Sequence, residues 1–243
     1  MAFTVVIPAR YQSSRFPGKP LVDIKGKPMI QHVVERAQEA GASAVIVATD
    51  DNRIASVAGE FAEVVMTDTA HTSGTERIAE VVRTKGIADE EIVVNVQGDE
   101  PLIDPDSIDA VTKCLIEGME RGFEVSTGYI EAATDGQLDD PSVVHLVPAL
   151  DGSVITFSRL PVPYPMAQTM HRTVHVGLYA FTAAALAKYT AWGQGPVEKT
   201  ENIEILRFLE HGERVACVKV NPGSIGVDTP EDVMRVEAIL AGV

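Results

Sequence analysis

Arg10, Arg15 and Lys19 place three cations within ten residues of a stretch, Ile7-Pro8-Ala9-Arg10-Tyr11-Gln12-Ser13-Ser14-Arg15-Phe16-Pro17-Gly18-Lys19-Pro20, that leaves the end of an apolar run. Guanidinium forks and an ammonium, helped by loop amides, can hold a polyphosphate and neutralise the charge that develops on it. A solvated basic loop would carry the same residues. Against that reading stand the acidity of the rest of the chain and a position at the carboxyl end of a strand, where open α/β sheets bind their ligands. The spacing is not GxxxxGK[ST], and no G-x-G-x-x-G follows a strand, so neither a Walker loop nor a dinucleotide fingerprint is present.

Two acidic positions answer these cations. Asp99, in Asn95-Val96-Gln97-Gly98-Asp99-Glu100-Pro101, emerges where a buried strand ends, and Gly98 lets a ligand approach the backbone. A carboxylate there suits Mg²⁺, which takes one or two carboxylates plus phosphate oxygens and water, although Gly-Asp is also ordinary turn chemistry. In Gly226-Val227-Asp228-Thr229-Pro230-Glu231-Asp232 a helix cap accounts for Thr229 and Asp232. Asp228 is not needed for that cap; it is free to be a second metal carboxylate or an acid that complements the helix dipole. Thr72-Ser73-Gly74-Thr75-Glu76-Arg77 reads as a capping box whose amides, hydroxyls and Arg77 can meet a base edge or a carboxylate. A solvated arginine on the first helical turn is the plainer account of Arg77. A last group, His145, Arg159, His175, Tyr179, Glu201 and Glu204, shows no metal-ligand spacing. Neither a G-x-S-x-G elbow nor a Cys/His nucleophile set occurs, which disfavours covalent acyl chemistry.

These positions need a scaffold, and the apolar pattern predicts one. Phe3 to Pro8, Ala44 to Ala48, Glu63 to Met66 and Ile92 to Val96 read as strands; Pro28 opens a helix stopped by Gly41, and Asn52 to Phe61 reads as another. Strands alternating with helices imply a parallel sheet between helical layers. Beyond residue 120 the pattern changes. Val143 to Ala149 and Val154 to Phe157 flank Asp151-Gly152, a hairpin dipeptide, and Val174 to Phe181 adds a strand. Arg159 to Thr173, with Pro161, Pro163 and Pro165, reads as an irregular excursion. Helical patterns return over Val197 to Glu210 and after Thr229. The expectation is one α/β domain over 1–243 with an antiparallel insertion over 123–190.

The chain has 243 residues and a formal charge of −15, from 20 Lys+Arg against 35 Asp+Glu; 45% of its residues are hydrophobic and 23% charged. That length supports a proper core, and the acidity excludes general affinity for nucleic acid or anionic membrane. Cys114 and Cys217 form no CxxC pair and no disulfide scaffold, so a reducing cytoplasm is expected. No apolar stretch approaches the roughly 20 residues that cross a bilayer.

IPARYQSSRFPGKPL, VATDD at 47–51, SGTER at 73–77, NVQGDEP at 95–101, FSR at 157–159, HVGLY at 175–179 and VDTPED at 227–232 occur in this order. From about residue 3 to the last helix the chain thereby resembles the CMP-Kdo synthetases, the 3-deoxy-manno-octulosonate cytidylyltransferases of the sugar nucleotidyltransferase superfamily. The resemblance implies a Rossmann-like nucleotidyltransferase fold, a homodimer formed through the insertion, and Mg²⁺-dependent transfer of CMP from CTP to a 3-deoxy-2-ulosonic acid. It implies that Arg10, Arg15 and Lys19 hold the triphosphate. Ser73, Gly74 and neighbouring loop amides would recognise cytosine, Ala9 and Ser14 would also contact CTP, Arg77 would lie near the cytidine or the sugar, and Asp99 and Asp228 would bind Mg²⁺. Gln97, Arg159, His175, Tyr179 and Glu204 would meet the sugar acid. Two positions depart from the family pattern: His145 stands where Lys is usual, and Ile205 follows Glu204 where Gln is usual. Both fall in the expected sugar half, which raises an 8-amino or deoxygenated analogue of Kdo as an alternative acceptor. A non-catalytic nucleotide- or sugar-binding regulator is the alternative from another class.

Overall fold

Continuous apolar runs become strands buried on both sides, and the helices between them cover a single twisted sheet. The computed structural model describes residues 2–13, 16–132, 140, 142–164, 166, 172–222 and 225–242. Its elements are β1 (Phe3–Ala9), β2 (Asp23–Ile24), β3 (Lys27–Pro28), α1 (Met29–Glu39), β4 (Ala44–Thr49), α2 (Asn52–Ala58), β5 (Glu63–Met66), α3 (Gly74–Lys85), β6 (Ile92–Asn95) and α4 (Pro105–Met119). They continue with β7 (Val125–Glu131), β8 (His145–Pro148), β9 (Val154–Ser158), β10 (Thr173–Thr182), α5 (Ala183–Ala191), α6 (Pro196–Glu201), α7 (Leu206–Glu210), β11 (Val215–Lys219) and α8 (Pro230–Leu240).

The main sheet runs β11-β7-β10-β6-β1-β4-β5, with β8 and β9 attached through β10. β1 pairs in parallel with β4 and β6, and β4 with β5. β10 runs the other way, antiparallel to both β6 and β7. It is much longer than its neighbour: Tyr179 lies opposite Asn95, so Thr173 to Leu178 overrun the end of β6. The strands of the 123–190 region are therefore continuous with the parallel half. On one face α1, α2 and α4 pack Ile30, Val33, Ile54, Ile108 and Leu115 on Val5, Ile7 and Val94. On the other, α3, α5 and α7 pack Ile78, Val81, Leu186 and Phe208 on Val6, Val93 and Phe181.

Three local expectations need correction. The helix from Asn52 ends at Ala58 instead of Phe61. The pattern over 197–210 is two short helices, because Asn202 adopts a left-handed φ of 52° between α6 and α7; asparagine tolerates that conformation better than most residues. The box at Ser73 is half formed: Ser73 accepts from the Glu76 amide, but the Glu76 carboxylate reaches the amide and hydroxyl of Thr72. Helices α4 and α5 and strands β7 and β11 were not read from the sequence. Residues 165 and 167–171 of the proline-rich excursion lie outside the described residues.

Candidate active site

The turn before Lys19 is built to hold that residue still. Gly18 has φ +74°, and a Cβ there would lie 3.0 Å from the Tyr11 ring; only glycine meets both conditions cheaply. Its amide donates to the Tyr11 carbonyl at 2.8 Å. Arg53 stacks on the Tyr11 ring, 3.3 Å from its centroid, and pairs with Asp51. From this turn the Lys19 ammonium donates to Asp99 Oδ2 at 2.6 Å, to the Val227 carbonyl at 3.0 Å and to Asp228 Oδ1 at 3.1 Å. Burial works to lower its pKa, but Asp99 and Asp228 outweigh it and the net shift is upward.

Asp99 is delivered by the end of β6. A Cβ on Gly98 would sit 2.7 Å from the Pro8 carbonyl oxygen, so this glycine is what lets β6 and β1 end side by side. The Val227 amide donates to the Asp99 carbonyl at 2.9 Å, which fastens the two acid-bearing loops together. Thr229 and Asp232 complete a reciprocal capping box on α8, so the Asp228 carboxylate takes no part in the cap.

Beside these groups opens a cleft of about 540 Å³, lined by Gln97, His175, Tyr179, Asn202, Glu204 and Asp228 among others. Thr127 Oγ1 donates to the Leu178 carbonyl at 2.8 Å and lies 2.9 Å from His175 Nε2. A hydroxyl carries one proton, so Nε2–H is the donor to Thr127 and Nδ1 is the acceptor nitrogen. Burial pushes the His175 pKa from its ordinary 6.5 down to about 3, and the ring is neutral at physiological pH. Burial, reinforced by the Glu204 charge, pushes Tyr179 up, so it too presents a neutral hydroxyl.

The His175 shift has a stability consequence. Between about 3 and 6.5 the unfolded chain binds the proton that the folded chain refuses, so stability falls as pH drops through that window. His175→Gln, which keeps a donor for Thr127, is expected to flatten this acid branch in urea-denaturation midpoints measured against pH. An unchanged slope would mean that the imidazole titrates as if in water.

Glu204 reaches across from the break between α6 and α7 to the start of α3. It accepts from the Gly74 amide at 3.4 Å and from the Thr75 amide and hydroxyl at 3.2 and 2.6 Å. Arg159 braces the same break, donating to the carbonyls of Glu201 and Asn202 at 2.6 and 3.0 Å. Arg10 is exposed just past β1, Ala9 is buried at its end, and Ser14 and Arg15 lie outside the described residues.

Four expected contacts do not line the cleft; Arg159, expected at the sugar acid, is the first, its guanidinium turned to the backbone of the α6–α7 break. Arg77 is 3% exposed, bound to Asp50 at 2.8 Å and to Thr67. It ties α3 to the loop after β4 instead of facing a nucleotide or sugar, because a buried guanidinium needs a buried counter-charge. Ile205 packs in the core between the sheet and α7. His145 is fully buried in β8, and neither it nor Ile205 lines the cleft. Thr127 and Asn202 are site-building residues that sequence reasoning missed, whereas Thr75 belongs to the 72–77 motif whose amides and hydroxyls were expected to meet a base edge or a carboxylate. Of the two missed, Asn202 alone carried a signal, as a residue at ease in a left-handed break inside a helical pattern. Burial pushes the Cys114 thiol up to about 11 and the Cys217 thiol to about 12, which disfavours a thiolate at either.

A sheet whose carboxyl edge joins a lysine and two carboxylates beside a polar cleft has the architecture of a nucleotidyltransferase. The cytidylyltransferase profile matches residues 4–215. The 3-deoxy-manno-octulosonate cytidylyltransferase of Alteromonas mediterranea is 45% identical over 97% of this chain and 98% of its own. That of Haemophilus influenzae is 45% identical over 99% of both chains. A solved structure of CMP:2-keto-3-deoxy-manno-octonic acid synthetase complexed with CTP superposes with a TM-score of 0.92 at 38% identity, covering 100% of this chain and 99% of that one. The chain belongs to the cytidylyltransferase family, among its 3-deoxy-manno-octulosonate members.

Proposed function

We propose that the protein converts CTP and 3-deoxy-manno-octulosonate (Kdo) to CMP-Kdo and pyrophosphate, with Mg²⁺ as cofactor. The observation that carries this reading is the meeting of Lys19, Asp99 and Asp228 beside a cleft lined by Asp228 together with His175, Tyr179 and Glu204. The names of the relatives supply the acceptor. A binder without catalysis has less need of two carboxylates converging on one cation.

The donor set fits a hard divalent ion. Asp99 and Asp228 already share one cationic partner, the Lys19 ammonium, and both are partly exposed, at 32% and 43%, which leaves room for phosphate oxygens and water. When bound, Mg²⁺ would neutralise triphosphate charge and polarise the attacking hydroxyl. The protein's own part is positioning. Arg10, Arg15 and Lys19 hold the phosphates, Ser73 and Gly74 recognise cytosine, and Ala9 and Ser14 also contact CTP. Gln97, His175, Tyr179 and Glu204 orient the acceptor so that its 2-hydroxyl oxygen lies in line with the α-phosphorus. The new O–P bond forms as the bridging oxygen departs with pyrophosphate, and the hydroxyl proton passes to water. Arg77 and Arg159 support the two walls from within.

The burial of His145 and Ile205 leaves the modified-acceptor alternative without a wall contact through which to act, so Kdo is the preferred substrate. A homodimer through the 123–190 region belongs to the same proposal, with Leu150, Ile155 and Leu160 as exposed apolar surface. Among the described residues no helix is long and apolar enough to cross a membrane, and we place the reaction in the cytoplasm. The test is pyrophosphate release from CTP and Mg²⁺, with Kdo and 8-amino-Kdo run in parallel. Release with Kdo is expected; release with the analogue alone would reassign the acceptor, and silence with both would overturn the reading.

A further inference from the structure

Thr75 has no role in the scheme above, yet the nucleotide and acceptor halves meet there. It is 3% exposed and lies in the first turn of α3, directly after the Ser73-Gly74 pair assigned to the cytidine. Its hydroxyl and amide both donate to Glu204 Oε2, at 2.6 and 3.2 Å, while the Gly74 amide reaches Oε1 at 3.4 Å. An ionised carboxylate offers about four acceptor sites. Three are taken by this turn, two of them on Oε2, so the open one is on Oε1.

We infer that Thr75 is a positioning residue for the acceptor: its hydroxyl locks the Glu204 carboxylate so that Oε1 meets one hydroxyl of the sugar acid. The hydroxyl bond is the shortest of the three and is made to a charged group, the stronger kind. Without it, Glu204 keeps two longer amide bonds and regains rotamer freedom, and the sugar then has to order it on binding. The positive end of α3 favours the carboxylate there but does not orient it; the threonine side chain does. This inference rests on the assignment of Glu204 to the acceptor pocket.

The test uses the full chain, with CTP, Mg²⁺ and Kdo varied in turn. Thr75→Val is expected to raise the KM for Kdo about ten- to hundredfold with the KM for CTP nearly unchanged. Thr75→Ser, which restores the hydroxyl, is expected to return it close to wild type. Thr75→Ala carries the same expectation as the valine variant and replaces it if the extra methyl prevents folding. An unchanged Kdo KM in the valine or alanine variant, an equal rise in both KM values, or a serine variant as impaired as the valine one would overturn the role. Glu204→Gln separates the two failures. If it leaves the Kdo KM unchanged, Glu204 is not at the acceptor; if it raises that KM while Thr75→Val does not, Glu204 keeps its place and the positioning role falls.

Discussion

Asp228→Asn is expected to lower kcat for pyrophosphate release by about 10²- to 10³-fold, the scale seen when one group that meets developing charge is removed. Asparagine keeps the shape of aspartate and removes its charge. The α8 cap stays, because Thr229 and Asp232 make it without the Asp228 side chain. Lys19 stays as well, held by Asp99 and the Val227 carbonyl. Activity and fold therefore separate: turnover collapses, the Mg²⁺ concentration for half-maximal rate rises, and the thermal midpoint hardly moves. Steady-state kinetics across a Mg²⁺ series, with a melting curve beside them, decides the matter. Near-wild-type turnover would remove Asp228 from the metal site.

The largest stability effect is expected at a buried ion pair that joins α6 to α7. Arg207 and Glu198 are each 2% exposed and joined by two parallel bonds of 2.8 Å. The guanidinium also donates to the Tyr189 carbonyl at 3.1 Å and lies 3.8 Å from the centroid of that ring. Arg207→Met strands a buried carboxylate, which costs about 3–5 kcal/mol. For a chain of this length that lowers Tm by roughly 6–20 °C. Replacing both partners by apolar residues, Arg207→Met with Glu198→Leu, should recover most of the loss, since a buried pair exchanged for packed hydrocarbon is often neutral. Thermal melts of the two single variants and the double variant close the cycle. The half-exposed Arg214–Asp151 pair is the control, with a far smaller expected effect because water screens it. If Arg207→Met cost no more than that control, the pair would not be desolvated in solution.

What could be read from the sequence follows from how local the signal is. The parallel strands announced themselves as runs such as Val5-Val6-Ile7 and Val93-Val94, apolar on both faces because helices cover both. Lys19, Asp99 and Asp228 were legible because each sits where a strand or turn ends, and short motifs hold them there. The break at Asn202 was hidden because helix-compatible residues stand on both sides of it, Val197 to Glu201 before and Ile203, Leu206 and Leu209 after. The grip of Thr75 on Glu204 joins residues 129 positions apart, and no spacing rule spans that distance. Arg77 shows the opposite error. A cation beside a ligand turn and a cation in a buried pair look alike in a sequence, and Asp50 makes the difference.

The length of β10 carries one more consequence. Because β10 runs against β6 and outreaches it by six residues, about 20 Å of strand at 3.3 Å per residue, the middle of the sheet has a step in it. The groups proposed to handle CTP stand on the lower tread, at the ends of β1 and β6, and His175 stands on the riser. The two treads come from different stretches of chain, so lengthening or re-registering β10 would resize the acceptor side without moving Lys19 or Asp99. In such a fold a new sugar preference is a matter of carpentry on one strand, open to selection while the phosphate chemistry stays as it was.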